Sequence, residues 1–266
     1  MLHPLRALTG VRSPLHQRRR DTPAFDPDAL AYITAVETAD GEALEAGVRE
    51  AINDFVVGCK ADGIWDALQA SCILAGARTL NGALVPLVGD APTNFNFVTD
   101  DYDRVTGLKG DGSTKYLDSN RANNADPQDN NHLAAFSSAL GATNANILAS
   151  GIGLGRRRIL LMSVGQLSFN ANGDDVLRGE DPNVNALMGA SRHSENNTDT
   201  IVNGLVVSTS QASAAPSSAR ILLYTRPPAL GFSSARLSFY SIGEALDLAT
   251  LDSRVSALMT ALDGAI

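Results

Sequence analysis

The chain has 266 residues, of which 44% are hydrophobic, 19% charged and 5% aromatic. That apolar content is enough for one large core plus an added module. The net charge of −8 weighs against generic nucleic-acid binding, which draws on clustered Lys and Arg, and no apolar run approaches the roughly 20 residues of a membrane-spanning helix.

Residues 1–27 read as an extended basic arm. Pro4, Pro14, Pro23 and Pro27 interrupt any period, and Met1 to Arg20 carry Arg6, Arg12, Arg18, Arg19 and Arg20 without a single Asp or Glu. The arm lacks the apolar centre of a secretory signal. Its Arg-rich, acid-free character also fits an organellar transit peptide, but the Pro and Arg placement makes a poor amphipathic helix. The preferred reading is an arm that docks on an acidic partner through Arg18, Arg19 and Arg20.

A helical anchoring module is expected over 28–90. Asp26 is placed to cap the first helix, with Pro27 in its first turn and Asp28 near its positive end. Leu30, Ile33, Val36 and Ala39 give that helix an apolar face, and Asp40 with Gly41 ends it. A second helix runs from about Glu42 to Lys60, because Leu44, Val48, Ile52, Phe55 and Val56 recur at spacings of three and four. Gly63 breaks it. A third helix is predicted from Ile64, with Trp65, Leu68, Ile73 and Leu74 as its apolar set, and a short piece follows between Leu80 and Leu87. The two cysteines, Cys59 and Cys72, then both fall in apolar helical sequence. Buried free thiols are the expected state, with a disulfide between two helices as the alternative. Trp65 is expected in the core.

From about residue 91 the period changes from helix-like to strand-like. Short β-prone runs occur at 94–98, 116–118, 133–136, 147–150, 158–164, 166–170, 186–191, 203–208, 220–224 and 236–242, separated by polar turns such as 171–174 and 195–197. Strands at such intervals, with no helix-length segments between them, suggest a β-sandwich or jelly roll over 91–266 and weigh against a βαβ architecture. The end is helical again, over 247–262. Leu248, Leu251, Val255, Leu258, Met259 and Leu262 share a face, Asp247 caps it and Gly264 ends it.

Several of these segments resemble a known group. Ile52, Phe55, Val56 and Gly58, followed by Gly63, Ile64 and Trp65 and then by Ala83, Leu84 and Val85, resemble the helical module of tailed-phage structural proteins. In that group the module precedes a laminin-G or concanavalin-like jelly roll. The run from Gly107 through Asp111 and Gly112 to Tyr116 and Leu117 is similar to that domain's opening strand. The run from Phe239 to Leu246, leading into the terminal helix, is similar to its closing segment. The likeness covers roughly residues 28–266. It implies a mainly β, jelly-roll sandwich with an N-terminal helical module and a C-terminal helix. It also implies a virion component: a tail fibre, tail-tip or capsid-decorating protein with other virion proteins as partners. A homo-oligomer, a trimer by analogy, follows from it, and no catalysis.

The motifs that point elsewhere each have a plainer reading. Gly151, Gly153 and Gly155 hint at a phosphate loop, but the dinucleotide fingerprint needs glycine at position 156, where Arg156 stands. The cluster of Arg156, Arg157 and Arg158 is then a rim contact for an acidic neighbour. Asp126, Asp129, Asn130, Asn131 and His132 form an oxygen-rich run whose spacing matches no EF-hand, so a solvated turn is favoured over a calcium site. Asp174, Asp175, Glu180 and Asp181 read as a solvated acidic loop rather than a hydrolytic carboxylate pair. His193 lies in a polar turn, and no Gly-x-Ser-x-Gly elbow occurs. No catalytic, cofactor or metal site is therefore assigned, and the expected protein is not an enzyme. The alternative is a glycan-binding module that recognises a host surface, with Asp126, Asn130, Asn131, Asn196 and Asn197 as its rim loops. A secreted polysaccharide or ester hydrolase is the third reading.

Overall fold

The computed structural model describes residues 25–163, 166–179 and 185–266. The chain opens with α1 (Pro27–Asp40), where the Asp26 carboxylate accepts from the Asp28 N–H at 2.9 Å and Gly41, at φ +71°, ends the helix. Its buried side is Ala29, Tyr32, Ile33 and Val36, one position round from the stripe expected, and Leu30 stays 44% exposed. Next comes α2 (Ala46–Ala61), whose Val48, Ile52, Phe55 and Val56 are buried as the spacing requires.

The predicted third helix is not formed. Trp65–Ala67 make one 3₁₀ turn, and the chain then enters strand β1 (Leu68–Ile73). The reason is burial on both sides. Ala70, Cys72 and Leu74 enter one core cluster while Leu68 and Ile73 enter the other. A strand with two covered faces shows no polar alternation, so periodicity alone does not separate it from a buried helix. Cys72 is accordingly a strand residue. Trp65 is only half buried and lies under the Lys60 ammonium, 5.5 Å from the ring centre.

A single helical turn, α3 (Leu80–Ala83), leads to the short strands β2 (Thr93–Phe95), β3 (Tyr102–Asp103) and β4 (Gly107–Lys109). The remaining strands are β5 (Tyr116–Ala122), β6 (Asn131–Ala139), β7 (Ala145–Ala149), β8 (Arg157–Ser163), β9 (Gln166–Ala171), β10 (Val176–Arg178), β11 (Ala186–Ser194), β12 (Asn197–Val202), β13 (Leu205–Ser210), β14 (Arg220–Leu223) and β15 (Arg236–Gly243), and α4 (Leu248–Ala265) closes the chain. Residues 203–208 are not one strand. Asn203 (φ +52°) and Gly204 (φ +76°) form a two-residue hairpin turn that brings Val202 opposite Leu205, the geometry for which an Asn-Gly pair is suited.

The pairings are antiparallel throughout and build two sheets. The first has the order β13-β12-β11-β6-β15-β4-β3, with β1 also paired to β15. The second has the order β10-β9-β8-β7-β14-β5-β2. The molecule is thus a jelly-roll β-sandwich. Leu133, Leu237, Tyr240 and Ile242 of the first sheet meet Leu117, Leu148, Ile159, Phe169 and Leu223 of the second. Among the described residues, α1, α2 and α4 cover the first sheet. Residues of α1, α2 and α4 pack on Ala134, Phe136, Leu187, Ile201 and Phe239, and the rings of Phe55 and Phe239 meet edge to face at 5.8 Å. Among the described residues the outer face of the second sheet carries no such layer. Tyr116, Asp118, Arg158 and Leu160 are half buried there, and Leu177 and Arg220 are exposed.

Candidate functional site

That bare face holds a groove of about 340 Å³ where β2, β5 and β14 run side by side. The volume lies within the range of small-ligand clefts. Alternation along β5 turns Leu117 and Ser119 into the sandwich and leaves Tyr116, Asp118 and Asn120 outside. The cross-strand partner of Tyr116 is Phe95, and the two rings stack at 4.3 Å and within 5° of parallel. The tilted Phe232 ring lies 6.2 Å from Tyr116 on the β14–β15 connection, so Tyr116 is the middle of an aromatic row and Phe95, 37% exposed, is its end. Leu222, Pro227, Pro228 and Ala229 complete the apolar wall.

The polar side of the groove is built by Asp118 and Arg220, and Asn120 braces both from behind. Asn120 adopts φ +58°, and its N–H donates to Asp118 Oδ1 at 2.8 Å. Its Nδ2 donates to the Ala91 carbonyl at 2.8 Å and to Thr93 Oγ1 at 2.9 Å. Its Oδ1 is thereby aimed at Arg220, whose Nη1 donates to it at 3.0 Å. Arg220 Nε sits 3.6 Å from Asp118 Oδ2. An acceptor and a donor fork therefore lie beside stacked aromatic rings, a combination suited to hydroxyl-bearing ligands.

The residues expected to carry a glycan rim are arranged differently. The 126–131 loop and the 195–197 hairpin do lie at one end of the sandwich: Gln128 Nε2 donates to Ser213 Oγ, and Ser213 N–H donates to the Glu195 carbonyl. Asn196 and Asn197 are exposed. Asp126 and Asn131 are not, with exposures of 2% and 0%. Asn130 is tied down, its Nδ2 donating to Glu244 and its Oδ1 accepting from the Ala245 N–H. The expectation of a solvated turn is therefore corrected, because this run turns inward to neutralise Arg157.

Arg157 is fully buried, and its Nη2 lies 2.8 Å from Asp126 Oδ2. The same guanidinium donates to Asn123 Oδ1, to the Asn123 carbonyl and to the His132 carbonyl. Arg121 pairs with the other side of the Asp126 carboxylate. Burial acts to raise the Asp126 pKa, but Arg121 and Arg157 outweigh it and hold the group below the usual carboxylate range. His132 is pushed down to about 4, chiefly by burial. Its Nδ1 faces the Glu244 carbonyl and its Nε2 lies 2.7 Å from Ser241 Oγ. The arginine triplet is likewise satisfied within the chain rather than offered to a neighbour, since Arg156 and Arg158 each pair with Asp175 at 2.8 Å. Asp175 belongs to the run read as a solvated acidic loop. The cations of Arg158 and Arg156 overcome its burial and lower its pKa. Glu180, Asp181, Arg18, Arg19 and Arg20 lie outside the described residues.

One arrangement resembles a hydrolytic relay without having its geometry. Ser191 Oγ lies 3.2 Å from His193 Nε2, and Asp199 Oδ2 lies 3.6 Å from the same nitrogen. A relay needs the carboxylate on the opposite ring nitrogen. Ser191 Oγ is also held by both the N–H and the carbonyl of Leu246. Cys59 and Cys72 are free and buried, and burial pushes each thiol up to about 12. Among the described residues no three His, Cys, Asp or Glu side chains gather as a metal site.

The sequence does not announce the groove, because its parts are far apart along the chain. The available signals were the alternation at 94–98 and the outward parity of Tyr116 and Asp118; nothing local announces that Arg220 reaches them.

No protein-family model matches the chain, and no curated protein matches it. Among solved structures it is similar to the botulinum neurotoxin serotype D binding domain, with 9% identity and a TM-score of 0.49 over 72% of this chain and 51% of that one. It is similar to a mutant of Trypanosoma rangeli sialidase displaying trans-sialidase activity, with 11% identity and a TM-score of 0.48 over 80% of this chain and 39% of that one. A third is the enzymatically active domain of bacteriophage CBA120 tailspike protein 2, with 11% identity and a TM-score of 0.35 over 63% of this chain and 29% of that one. The chain thus spans about half the length of the first of these and less of the others.

Proposed function

We propose that this protein is a non-enzymatic component of a bacteriophage particle that attaches through its helical side and recognises a saccharide on the bare face of its second sheet. The observation that carries the reading is the asymmetry of the sandwich. Helices seal one sheet, whereas the other presents an aromatic groove with a preset carboxylate and guanidinium. Stacked rings beside hydrogen-bonding groups suit a sugar, which has apolar ring faces and a polar edge. The particle setting rests on the resemblance carried by residues 52–65, 107–117 and 239–246. In that setting the protein is a tail fibre, tail-tip or capsid-decorating subunit, a trimer by analogy, with Arg18, Arg19 and Arg20 docking on an acidic partner. The non-enzymatic part is supported by the carboxylates Asp126 and Asp175, both locked in ion pairs, and by the failed relay at His193.

The test is exposure of the purified protein to host-surface polysaccharide. Retention on the polysaccharide without release of reducing ends or ester cleavage is expected. Turnover of either kind would replace this reading with the hydrolase, and absence of retention would leave only the structural half.

A further inference from the structure

We propose that the groove on the second sheet takes a neutral pyranose, held through two adjacent hydroxyls by Asp118 and Arg220 while the sugar ring packs on the Phe95–Tyr116 row. This rests on the saccharide reading above and narrows it to a chemical class.

The spacing comes from the strand. Tyr116 and Asp118 are alternate residues on one face of β5, so their Cα atoms are about 7 Å apart, close to the breadth of one sugar ring. A single pyranose lying along the edges of the Phe95–Tyr116 row therefore meets aromatic carbon and a carboxylate together. The charged pair is set before any ligand arrives. Asn120 is held by Asp118, Ala91 and Thr93, and it in turn fixes Arg220. Asp118 therefore loses little side-chain freedom on binding, which favours affinity, and Arg220, whose side chain is 52% exposed, is directed towards the groove by the contacts with Asn120 and Asp118.

The pair also selects charge. Asp118 is an acceptor and Arg220 a donor. Neighbouring hydroxyls each donate and accept, so one donates to the carboxylate while the other accepts from the guanidinium. A uronate, sialate or phosphate group has no proton for Asp118 and meets its negative charge at short range. The cation that would compensate is already shared with Asp118 at 3.6 Å. Leu222, Pro227 and Pro228 supply no further cation to the groove wall.

The experiment is calorimetric titration of the full chain with two probe sets: neutral hexose oligomers (cellohexaose, maltohexaose, mannohexaose and a galacto-oligosaccharide) and anionic ones (hexagalacturonate and a sialylated hexasaccharide). Binding of at least one neutral oligomer is expected, with affinity changing less than about twofold between roughly 0.02 and 0.3 M salt. Phe95→Ala and Asp118→Asn should each weaken it roughly tenfold, with circular dichroism and thermal midpoint unchanged. Phe95 lies half open on an edge strand, so its truncation leaves a folded reporter even where the Asp118 variant loses stability. Binding confined to the anionic set, salt-sensitive and lost with Phe95→Ala, would overturn the neutral class and leave saccharide recognition standing. Neutral binding indifferent to both variants would overturn the groove as the site. No binding to either set would remove saccharide recognition itself.

Discussion

The hydrogen bonds of His132 define its protonation. The Glu244 carbonyl at Nδ1 can only accept, so Nδ1 carries the proton and Nε2 accepts from Ser241 Oγ. A second ring proton would leave Nε2 facing a hydroxyl in a fully buried site beside the Arg157 and Arg121 cations, which is why the pKa falls to about 4. The unfolded chain, with an ordinary value of about 6.5, takes up that proton first as pH falls. His132 therefore contributes stability that is complete above about pH 6.5 and is lost on descending towards about 4. Between roughly pH 6.5 and 5, before most carboxylates titrate, the loss should amount to about 2 kcal/mol. Urea unfolding across that window should show a falling midpoint for the wild type and a nearly flat one for His132→Asn, which retains an N–H for Glu244. Equal slopes for the two proteins would refute the assignment. Asp126 acts in the same sense at lower pH, since a carboxylate held low by Arg121 and Arg157 withdraws its stabilisation as it protonates.

At the scale of elements, β1 decides how the helical end joins the sandwich. It pairs with β15 from Leu68 opposite Gly243 to Ile73 opposite Phe239. The approach is closest at Gly243, where an added Cβ would lie 2.0 Å from the Ala67 carbonyl oxygen, a backbone atom with no flexible end to swing away. Gly243→Ala should therefore destabilise by roughly 2–3 kcal/mol through displacement of the β1 register. Gly264, in the last turn of α4, has nothing within 4 Å of such a Cβ, and Gly264→Ala should be neutral or stabilising by up to about 1 kcal/mol. Thermal unfolding of the pair checks this, and equal effects would contradict it. The same contrast explains what was legible in sequence. The helices α1, α2 and α4 were readable because each buries one stripe and wets the other, and Asp26 and Asp247 cap as their positions require. β1 was not readable, because cores on both its faces erase the alternation that marks a strand. The hairpin at Asn203 and Gly204 carried a local signal in its Asn-Gly pair, which the apolar run beyond it obscured. The strand region gave its class through turn spacing, but neither the Arg157–Asp126 pair nor the groove is a local pattern. Arg157 meets Asn123 across 34 residues, and Arg220 meets Asn120 across 100.

The whole molecule is a stack of three layers, helices on the first sheet and the first sheet on the second. The first sheet has two apolar faces and needs two covers; the second sheet supplies one and the helices the other. The second sheet has a single apolar face, and its outer side is mixed enough to meet water, with Asp118, Arg158 and Arg220 among its residues. Among the described residues one sheet face is thus left bare, and that face is available for recognition. The helical layer has no such freedom. The helix α4 buries Leu248, Leu251, Val255, Leu258 and Leu262, each worth roughly 1.5–3 kcal/mol when removed from water. Even discounted for residual burial in the unfolded chain, that total is comparable with the 5–15 kcal/mol that holds a typical domain together. A chain ending at residue 246 would also uncover apolar side chains on the outer side of the first sheet, among them Leu187 and Ile201 on β11 and β12 and Phe136 beside Met259. It should lose its cooperative thermal transition and bind a hydrophobic dye at temperatures where the full chain does not. A cooperative transition within about 5 °C of the full-length midpoint would mean that the sandwich stands without α4, and that the part of the first sheet under α4 is free to face a partner instead.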